Sequence, residues 1–281
     1  MDTVNSNQGS PIREAATILI FREQPRRQLF MVRRHTKSAF MPNVMVFPGG
    51  RVDESDTSPS WTPHIVRPAA VPQVYTLPAL SHYIAAARET YEEAGILFAN
   101  RDGHPIDAET PLGREIFGPC RDALNRSDIG FQDIVQRYQL TLDLSRLSYF
   151  SRWITPDIEK RRFDARFFVA ELPPTQWPES DQLETSDGVW LEPGDALALY
   201  QQKKIQLAPP TLRILETVNR DWSALQRPAQ GCHTAIAPQA LFVDDELHLI
   251  LPGDRDYRPS GTQRNRIIRR ADHWVSEGEG T

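Results

Sequence analysis

Three closely spaced glutamates place the strongest constraint on how this chain can fold. Glu89, Glu92 and Glu93 lie in the run 88–96, at spacings of i, i+3 and i+4. In a helix these spacings put all three carboxylates on one face, within reach of a single ion. Like charges so placed repel, and the last two lie in the final turn, where the helix dipole disfavours negative charge. We therefore predict a helix C-terminus whose charge a divalent cation neutralises.

A simpler interpretation is a solvated helix face on which Arg88 pairs with Glu92, worth about 0.3–0.5 kcal/mol at that spacing. The surrounding glycines favour the metal site. Gly95 stands where a helix commonly stops. Pro48-Gly49-Gly50, upstream, permits a loop whose backbone approaches a ligand or presents a carbonyl to a cation. A solvated face needs no glycines at these distances, so we prefer the metal site.

Composition narrows the class of protein. The 281 residues, 40% of them hydrophobic, suffice for one large domain with a sizeable core. A net charge of −5 provides no basic surface, so we expect no bulk nucleic acid as partner. Cys120 and Cys232 lack a metal or redox spacing, which indicates a reducing compartment. No apolar run has the length of a signal peptide or membrane span, so we expect a cytoplasmic protein with no membrane partner.

Periodicity and turn residues predict a mixture of strands and helices. Residues 15–22 and 28–34 read as a hairpin, and a strand at 44–47 ends at Pro48. A proline-rich loop should occupy 53–78. A helix should then run from Pro78, with Thr76 as its cap, to Gly95. The other predicted elements are two short helices within 111–139, strands at 147–153, 162–172 and 189–191, helices at 193–203 and 209–226, and strands at 240–243 and 246–251. Together these elements indicate an α+β fold.

The segment from the glycine loop to Ile96 resembles the signature box of the Nudix hydrolases. Its second half matches at every fixed position, namely Arg88, Glu89, Glu92, Glu93 and Gly95. Its first half departs from the pattern, because the acidic residue after Gly50 and five intervening residues is Asp56 rather than Glu. In addition, 31 residues (57–87) separate Asp56 from the second half, about 24 more than the family pattern has. In the second half, Thr90 stands where the family usually has a large apolar residue.

The split box narrows the resemblance to one branch of the family. Together with the stretches 153–156 and 161–168, it resembles the branch with the peroxisomal coenzyme A diphosphatases and their bacterial relatives. The resemblance covers roughly residues 13–215. It implies a Nudix α/β/α sandwich with a mixed sheet and helical insertions. We expect a flexible N-terminus at 1–12, a hydrolase domain at 13–255 with insertions at 57–80 and 105–145, and a C-terminal tail at 256–281. From Gln263 the tail carries Arg264, Arg266, Arg269 and Arg270 and then acidic residues, which indicates a segment that is solvated or packed on a partner.

The resemblance also implies a reaction. The protein would cleave a diphosphate bond in a small-molecule nucleotide derivative, with coenzyme A or acyl-coenzyme A as the first expectation. ADP-ribose or NADH would be the alternative substrate. A non-catalytic nucleotide-binding Nudix module is a different class, but such modules usually lose the box carboxylates, and all three are present here. A homodimer is compatible with the fold by analogy.

The family's functional residues map onto particular positions. Mg²⁺ or Mn²⁺ would be held by the Gly50 carbonyl and by Glu89, Glu92, Glu93 and a later residue, Glu184, for which Glu179 and Asp181 are competitors. Arg88 would orient the carboxylates, and either Glu89 or Glu92 would take the proton of the attacking water. Oxygen ligands suit these hard cations. The predicted phosphate-binding residues are Arg33, Arg34, Arg162 and Arg166, because a guanidinium can hold two phosphate oxygens at once.

Overall fold

The computed structural model describes residues 11–34, 44–67, 77–179, 185–227, 235–258, 261–271 and 273–278. The strands are β1 (Ile12–Arg22), β2 (Gln28–Arg34), β3 (Val44–Val46), β4 (Gly49–Arg51), β5 (Ile65–Val66), β6 (Ala99–Arg101), β7 (His104–Pro105), β8 (Thr141–Asp143), β9 (Ser148–Ile154), β10 (Arg162–Glu171), β11 (Thr185–Leu191), β12 (Gln206–Leu207), β13 (Gln239–Val243), β14 (Glu246–Ile250), β15 (Asn265–Arg270) and β16 (His273–Gly278). The α-helices are α1 (Leu77–Ala94), α2 (Pro111–Glu115), α3 (Arg121–Asn125), α4 (Phe131–Arg137), α5 (Pro193–Gln201) and α6 (Pro209–Arg220). Within these described ranges, no helix is long and apolar enough to cross a membrane.

The largest sheet is mixed and has β1 near its centre. Its order is β12-β3-β2-β1-β10-β9, with β11 added beside β2 and β4 beside β1. β1 runs parallel to β10 over ten residue pairs and antiparallel to β2 and β4. The predicted hairpin of β1 and β2 is therefore present. The sequence Pro48-Gly49-Gly50, predicted as a loop, instead enters the short strand β4, because its backbone hydrogen-bonds to β1.

The two faces of β1 bury different residues, which makes the fold a sandwich. Ile18 and Ile20 pack in one apolar cluster with the alanines of α1, whereas Leu19 packs in a second cluster with Leu212 and Leu215 of α6. This alternation follows from the period of two in a strand. Each fully buried side chain of this size contributes about 1.5–3 kcal/mol. Helices thus cover both faces of the sheet, which confirms the predicted α+β Nudix architecture.

Helix α1 ends as its sequence predicts. Gly95 follows the last helical residue with φ +65°, a conformation that glycine adopts at no steric cost. The Gly95 and Ile96 amides donate to the carbonyls of Tyr91 and Thr90, at 3.1 and 3.3 Å, and so close the last turn. The proposed cap Thr76 lies outside the described residues. The helix end is therefore fixed immediately after the three glutamates.

The two insertions pack against each other. Trp61, in a short 3₁₀ turn, is 1% exposed and lies 5.7 Å from the ring of Phe131 in α4. β5 of the box insertion joins β8, β6 and β7 in a separate four-stranded sheet. The prediction of a loop over 53–78 is therefore wrong for its described part, 53–67, because the buried tryptophan supplies an apolar anchor that a proline count does not reveal.

The C-terminal residues also differ from expectation. β13, β14, β15 and β16 form an antiparallel sheet in that order. Ile267 and Ile268 are buried, and Arg266 is buried with its guanidinium on Asp254 at 2.6 Å. The prediction of a solvated or partner-packing tail at 256–281 is corrected for its described part. The arginines that suggested solvation flank two core isoleucines.

Candidate active site

The C-terminal turn of α1 meets β4 through two glycines. The Gly49 amide donates to Glu93 Oε2 at 2.9 Å. A Cβ on Gly50 would lie 2.4–2.5 Å from the carboxylate atoms of Glu89, so only glycine lets this carboxylate rest against the backbone. A Cβ on Gly49 would lie 2.3 Å from the Ala16 carbonyl oxygen of β1. The two glycines thus bring the strand and the acidic helix face into direct contact.

Arg88 holds this acidic cluster together. Its Nε and Nη2 donate to the two carboxylate oxygens of Asp56, at 3.0 and 2.9 Å. Its Nη1 donates to Glu89 Oε1 at 2.9 Å and to Glu92 Oε2 at 3.0 Å. Nη2 also donates to the Arg51 carbonyl at 2.8 Å. The predicted orienting contacts of Arg88 are therefore present, and Asp56 anchors the guanidinium.

The sequence predicts no role for Asp56, because Asp56 differs from the family glutamate and stands before a long insertion. It is 1% exposed, and it also accepts the Asp53 backbone amide at 2.8 Å. The salt bridge to Arg88 gives this buried charge its compensation. Aspartate in place of the family glutamate thus keeps a carboxylate at this position, and Arg88 pairs with it.

Burial changes the titration of the cluster. Burial raises the pKa of Glu92 to about 7, against the opposing attraction of Arg88. For Arg88, burial works to lower the pKa, but the hydrogen bond to Asp56 and the charge of Glu89 outweigh it and raise the pKa above its ordinary value. Glu92 can therefore gain or lose a proton near neutral pH, while Arg88 stays charged.

The donor set suits a hard cation, although the side chains are engaged with the protein. Among the described residues, no three His, Cys, Asp or Glu groups are arranged to hold a metal ion. Glu89 and Glu92 each direct one oxygen to Arg88, and Glu93 directs one to Gly49. The three carboxylates nevertheless line one cavity, beside a backbone cradle that a Cβ would fill. Their chemistry fits Mg²⁺ or Mn²⁺.

Two of the three candidates for the later ligand lie outside the described residues, Glu184 and Asp181. The third, Glu179, has an exposed side chain. Its backbone amide donates to the Ala94 carbonyl at 2.8 Å, and its carbonyl accepts from Arg121 at 2.7 Å. The chain before Glu184 thus passes next to the C-terminus of α1. The assignment of Glu184 stays a prediction.

The carboxylates line a cavity of about 1010 Å³. This volume is at the upper end for sites that bind small molecules, and it far exceeds that of a diphosphate group. Besides Arg88, the arginines that line it are Arg13, Arg34, Arg51, Arg161 and Arg269. Apolar and aromatic residues complete the wall, among them Trp153, Phe163, Leu249 and Trp274. A cavity with acidic and basic walls suits a polyphosphate ligand with metal counterions.

Of the four predicted phosphate-binding arginines, only Arg34 lines this cavity. Arg33 pairs with Asp187 at 3.5 Å. Arg162 Nε donates to the Thr155 carbonyl at 3.1 Å, and Arg166 lies beside His82. The structure therefore does not bring Arg33, Arg162 or Arg166 to the cavity.

The reason is the alternation of side chains along a strand. On β10, Phe163 and Ala165 line the cavity, so their even-numbered neighbours point to the other face. Arg161, two residues before Phe163, shares its phase, and this spacing was the signal that could have selected it. Arg13 shares the phase of cavity-lining Ala15 on β1 in the same way. No such local signal identifies Arg269, because its place depends on how the C-terminal sheet docks.

Comparisons with known sequences and structures point to the same family of proteins. A family model described as the NUDT19 Nudix domain matches residues 70–218. The acyl-coenzyme A diphosphatase NUDT19 of Gallus gallus is 28% identical over an alignment of 329 residues, covering 94% of this chain and 85% of that protein. The Homo sapiens protein of the same name is 29% identical, covering 82% and 72%. A NUDIX hydrolase from Alicyclobacillus acidocaldarius superposes with a TM-score of 0.64 and 26% identity, covering 79% of this chain and 99% of that one.

Proposed function

The chain belongs to the NUDT19 Nudix domain family and is a Nudix hydrolase, and on this premise we propose that it hydrolyses the diphosphate bond of coenzyme A or acyl-coenzyme A. The relatives named as acyl-coenzyme A diphosphatases support this choice of substrate. The observation that carries the proposal is the contact of two α1 carboxylates, Glu89 and Glu93, with the Gly49-Gly50 backbone, beside Glu92 at one wall of the large cavity.

Nudix hydrolases generally use divalent metal ions, and we propose Mg²⁺ or Mn²⁺ here. Glu89, Glu92 and Glu93 would hold the ion with the Gly50 carbonyl, and Glu184 is our candidate for a further ligand. A bound divalent cation neutralises charge on a diphosphate and lowers the pKa of water. Buried carboxylates favour such an ion because burying negative charge without compensation is costly.

The chain's own residues would position the reactants. Arg88, fixed by the two hydrogen bonds that it donates to Asp56, keeps the Glu89 and Glu92 carboxylates in place. One of these two glutamates would accept the proton of the attacking water at a carboxylate oxygen. Both glutamates accept a hydrogen bond from the same Arg88 nitrogen, so this contact does not single out one of them. The pH dependence of kcat in the Glu89→Gln and Glu92→Gln variants would distinguish them.

Arginines on other strands would bind the substrate. Arg34 of β2 and Arg161, just before β10, line the cavity, and a guanidinium can hold two phosphate oxygens. Their charges would draw a diphosphate towards the acidic wall once metal offsets its carboxylates. Fixed charges placed before the reaction begins stabilise its transition state most effectively.

The test is hydrolysis by the full chain of coenzyme A, acetyl-coenzyme A, ADP-ribose and NADH, with Mg²⁺ or Mn²⁺, and with product masses read to locate the cut. We expect cleavage of coenzyme A to adenosine 3′,5′-bisphosphate and 4′-phosphopantetheine. Glu92→Gln should reduce kcat by about 10²-fold or more. Glu159→Gln is the matched control, because Glu159 also lines the cavity but lies outside α1.

Two outcomes would reject this assignment. Faster cleavage of ADP-ribose or NADH than of coenzyme A would assign a different substrate to the same site. Binding of these compounds without cleavage of any of them would instead identify a nucleotide-binding module.

A further inference from the structure

The C-terminal sheet supplies one wall of the cavity, although it lies beyond the residues that the family model matches. β14 contributes Leu249, β15 contributes Arg269 and β16 contributes Trp274. The α1 carboxylates lie on a different element of the same cavity. The cavity volume of about 1010 Å³ far exceeds that of a diphosphate, so it leaves room for substrate groups beyond the diphosphate.

This wall is fixed to the rest of the protein. The Trp274 amide donates to the Tyr200 hydroxyl at 2.5 Å, and that hydroxyl donates to the Trp274 carbonyl at 3.0 Å. Leu249 and Ile267 are buried in the same apolar cluster as Leu212 of α6. The position of the Trp274 backbone relative to α5 is therefore set by the Tyr200 side chain, so residues beside it can select a ligand.

Arg269 is supported by Trp274. The two residues are direct cross-strand partners, and the guanidinium carbon lies 5.4 Å from the tryptophan ring centroid. Such a cation–π contact orients a guanidinium without using its N–H donors. Arg269 is also exposed, so these donors can reach a ligand.

The arginines near Arg269 in the sequence form ion pairs with carboxylates of the C-terminal region. Arg264 pairs with Glu277 at 2.9 Å, Arg266 with Asp254 at 2.6 Å, and Arg270 with Glu277 at 3.0 Å. Among the described residues, no carboxylate makes an ion pair with Arg269. Arg269 and Arg270 stand on opposite faces of β15, one towards the cavity and one towards Glu277. The sheet thus presents one arginine to the ligand and uses the next one for its own structure.

We propose that Arg269, supported by Trp274, is a specificity-determining residue that binds a substrate phosphate outside the scissile diphosphate. This inference rests on the proposed function, since it concerns the same cavity. Arg51 lies next to Gly50, on the side of the α1 carboxylates, where it can bind the diphosphate. Arg269 lies on a separate sheet and would bind a further phosphate. Coenzyme A carries one on its ribose 3′ carbon, whereas ADP-ribose and NADH do not.

The test compares the binding of adenosine 3′,5′-bisphosphate and adenosine 5′-monophosphate to the full chain by calorimetry, in the presence of Mg²⁺. The two ligands differ only in the 3′-phosphate. The wild type should bind the bisphosphate at least about tenfold more tightly, as expected for a charge-assisted contact. Arg269→Gln should reduce this ratio to about two or less. Arg270→Gln, the adjacent control on the other face, should retain the wild-type ratio.

A ratio that Arg269→Gln leaves unchanged would overturn the inference. So would a wild type that does not distinguish the two nucleotides, or that binds neither. Coenzyme A hydrolysis is measured on the same preparations, so the two proposals fail separately. If coenzyme A is hydrolysed but the affinity ratio does not depend on Arg269, only the role of Arg269 is refuted. An Arg269-dependent ratio without hydrolysis of any diphosphate refutes only the proposed reaction.

Discussion

Adding one methyl group to Gly50 should separate catalysis from folding. A Cβ there would lie 2.4 Å from Glu89 Oε1, whereas ordinary contact needs about 3.4 Å. The Glu89 carboxylate must therefore move by about 1 Å. Because the obstructing atoms are the end of a flexible side chain, the free energy of unfolding should fall by less than about 1 kcal/mol. A 1 Å displacement at a reacting centre can cost about 10²-fold, which is the loss of kcat/KM we expect for Gly50→Ala.

The adjacent glycine supplies the matched control. A Cβ on Gly49 would meet the Ala16 carbonyl oxygen at 2.3 Å and the Thr17 Cα at 2.6 Å, and φ is +154°. These are backbone atoms of a central strand and cannot rotate away. Gly49→Ala should therefore lower the free energy of unfolding by about 3 kcal/mol.

Guanidinium chloride unfolding and coenzyme A kinetics on both variants provide the assay. The reasoning is refuted if Gly50→Ala retains kcat/KM within twofold of wild type. It is also refuted if Gly50→Ala destabilises the protein as much as Gly49→Ala does, because activity would then report folding.

Three further results follow from the site. Asp56→Asn leaves Arg88 without its buried partner and should lower the free energy of unfolding by about 3 kcal/mol, measured by denaturant titration; a loss below about 1 kcal/mol would contradict the anchoring role. The folded protein raises the pKa of Glu92 from 4.5 to about 7, so folding favours the neutral carboxyl. In the absence of metal, the stability that this neutral carboxyl contributes is complete below pH 4.5 and is lost as the pH rises through 7. The rise in Tm caused by saturating Mg²⁺ should consequently grow from pH 5.5 to 7.5 in the wild type and less in Glu92→Gln, and a pH-independent rise in the wild type would refute this linkage. Arg161→Gln should raise KM about tenfold while Arg162→Gln leaves it within twofold, because only Arg161 lines the cavity, and equal effects would reject the strand-phase argument.

Local patterns predicted the elements that local physics controls. The end of α1 follows from Gly95, whose φ of +65° stops the helix at the position its spacing indicates. The hairpin of β1 and β2 follows from two apolar runs and a proline turn. The acidic cluster was identified by helix periodicity, which is a property of consecutive residues.

Features that depend on tertiary packing were missed or misassigned. Asp56 and Arg88 are 32 positions apart, on both sides of an insertion, so their pairing could not be read from spacing. Which arginines face the cavity depends on the phase of each strand, and a one-residue error turns a side chain to the opposite face. Arg269 was placed in a solvated tail because its neighbouring arginines outweighed Ile267 and Ile268 in the composition of that segment.

Mn²⁺ titration followed by electron paramagnetic resonance tests the central claim most directly, because it measures ion uptake without requiring catalysis and can be compared between the wild type and variants of the α1 carboxylates. The wild type should take up the ion at pH 7.5, Glu92→Gln/Glu93→Gln should bind it at least about tenfold more weakly, and Glu159→Gln should match the wild type. Uptake by the double variant equal to that of the wild type would contradict the assignment of these carboxylates as the metal site.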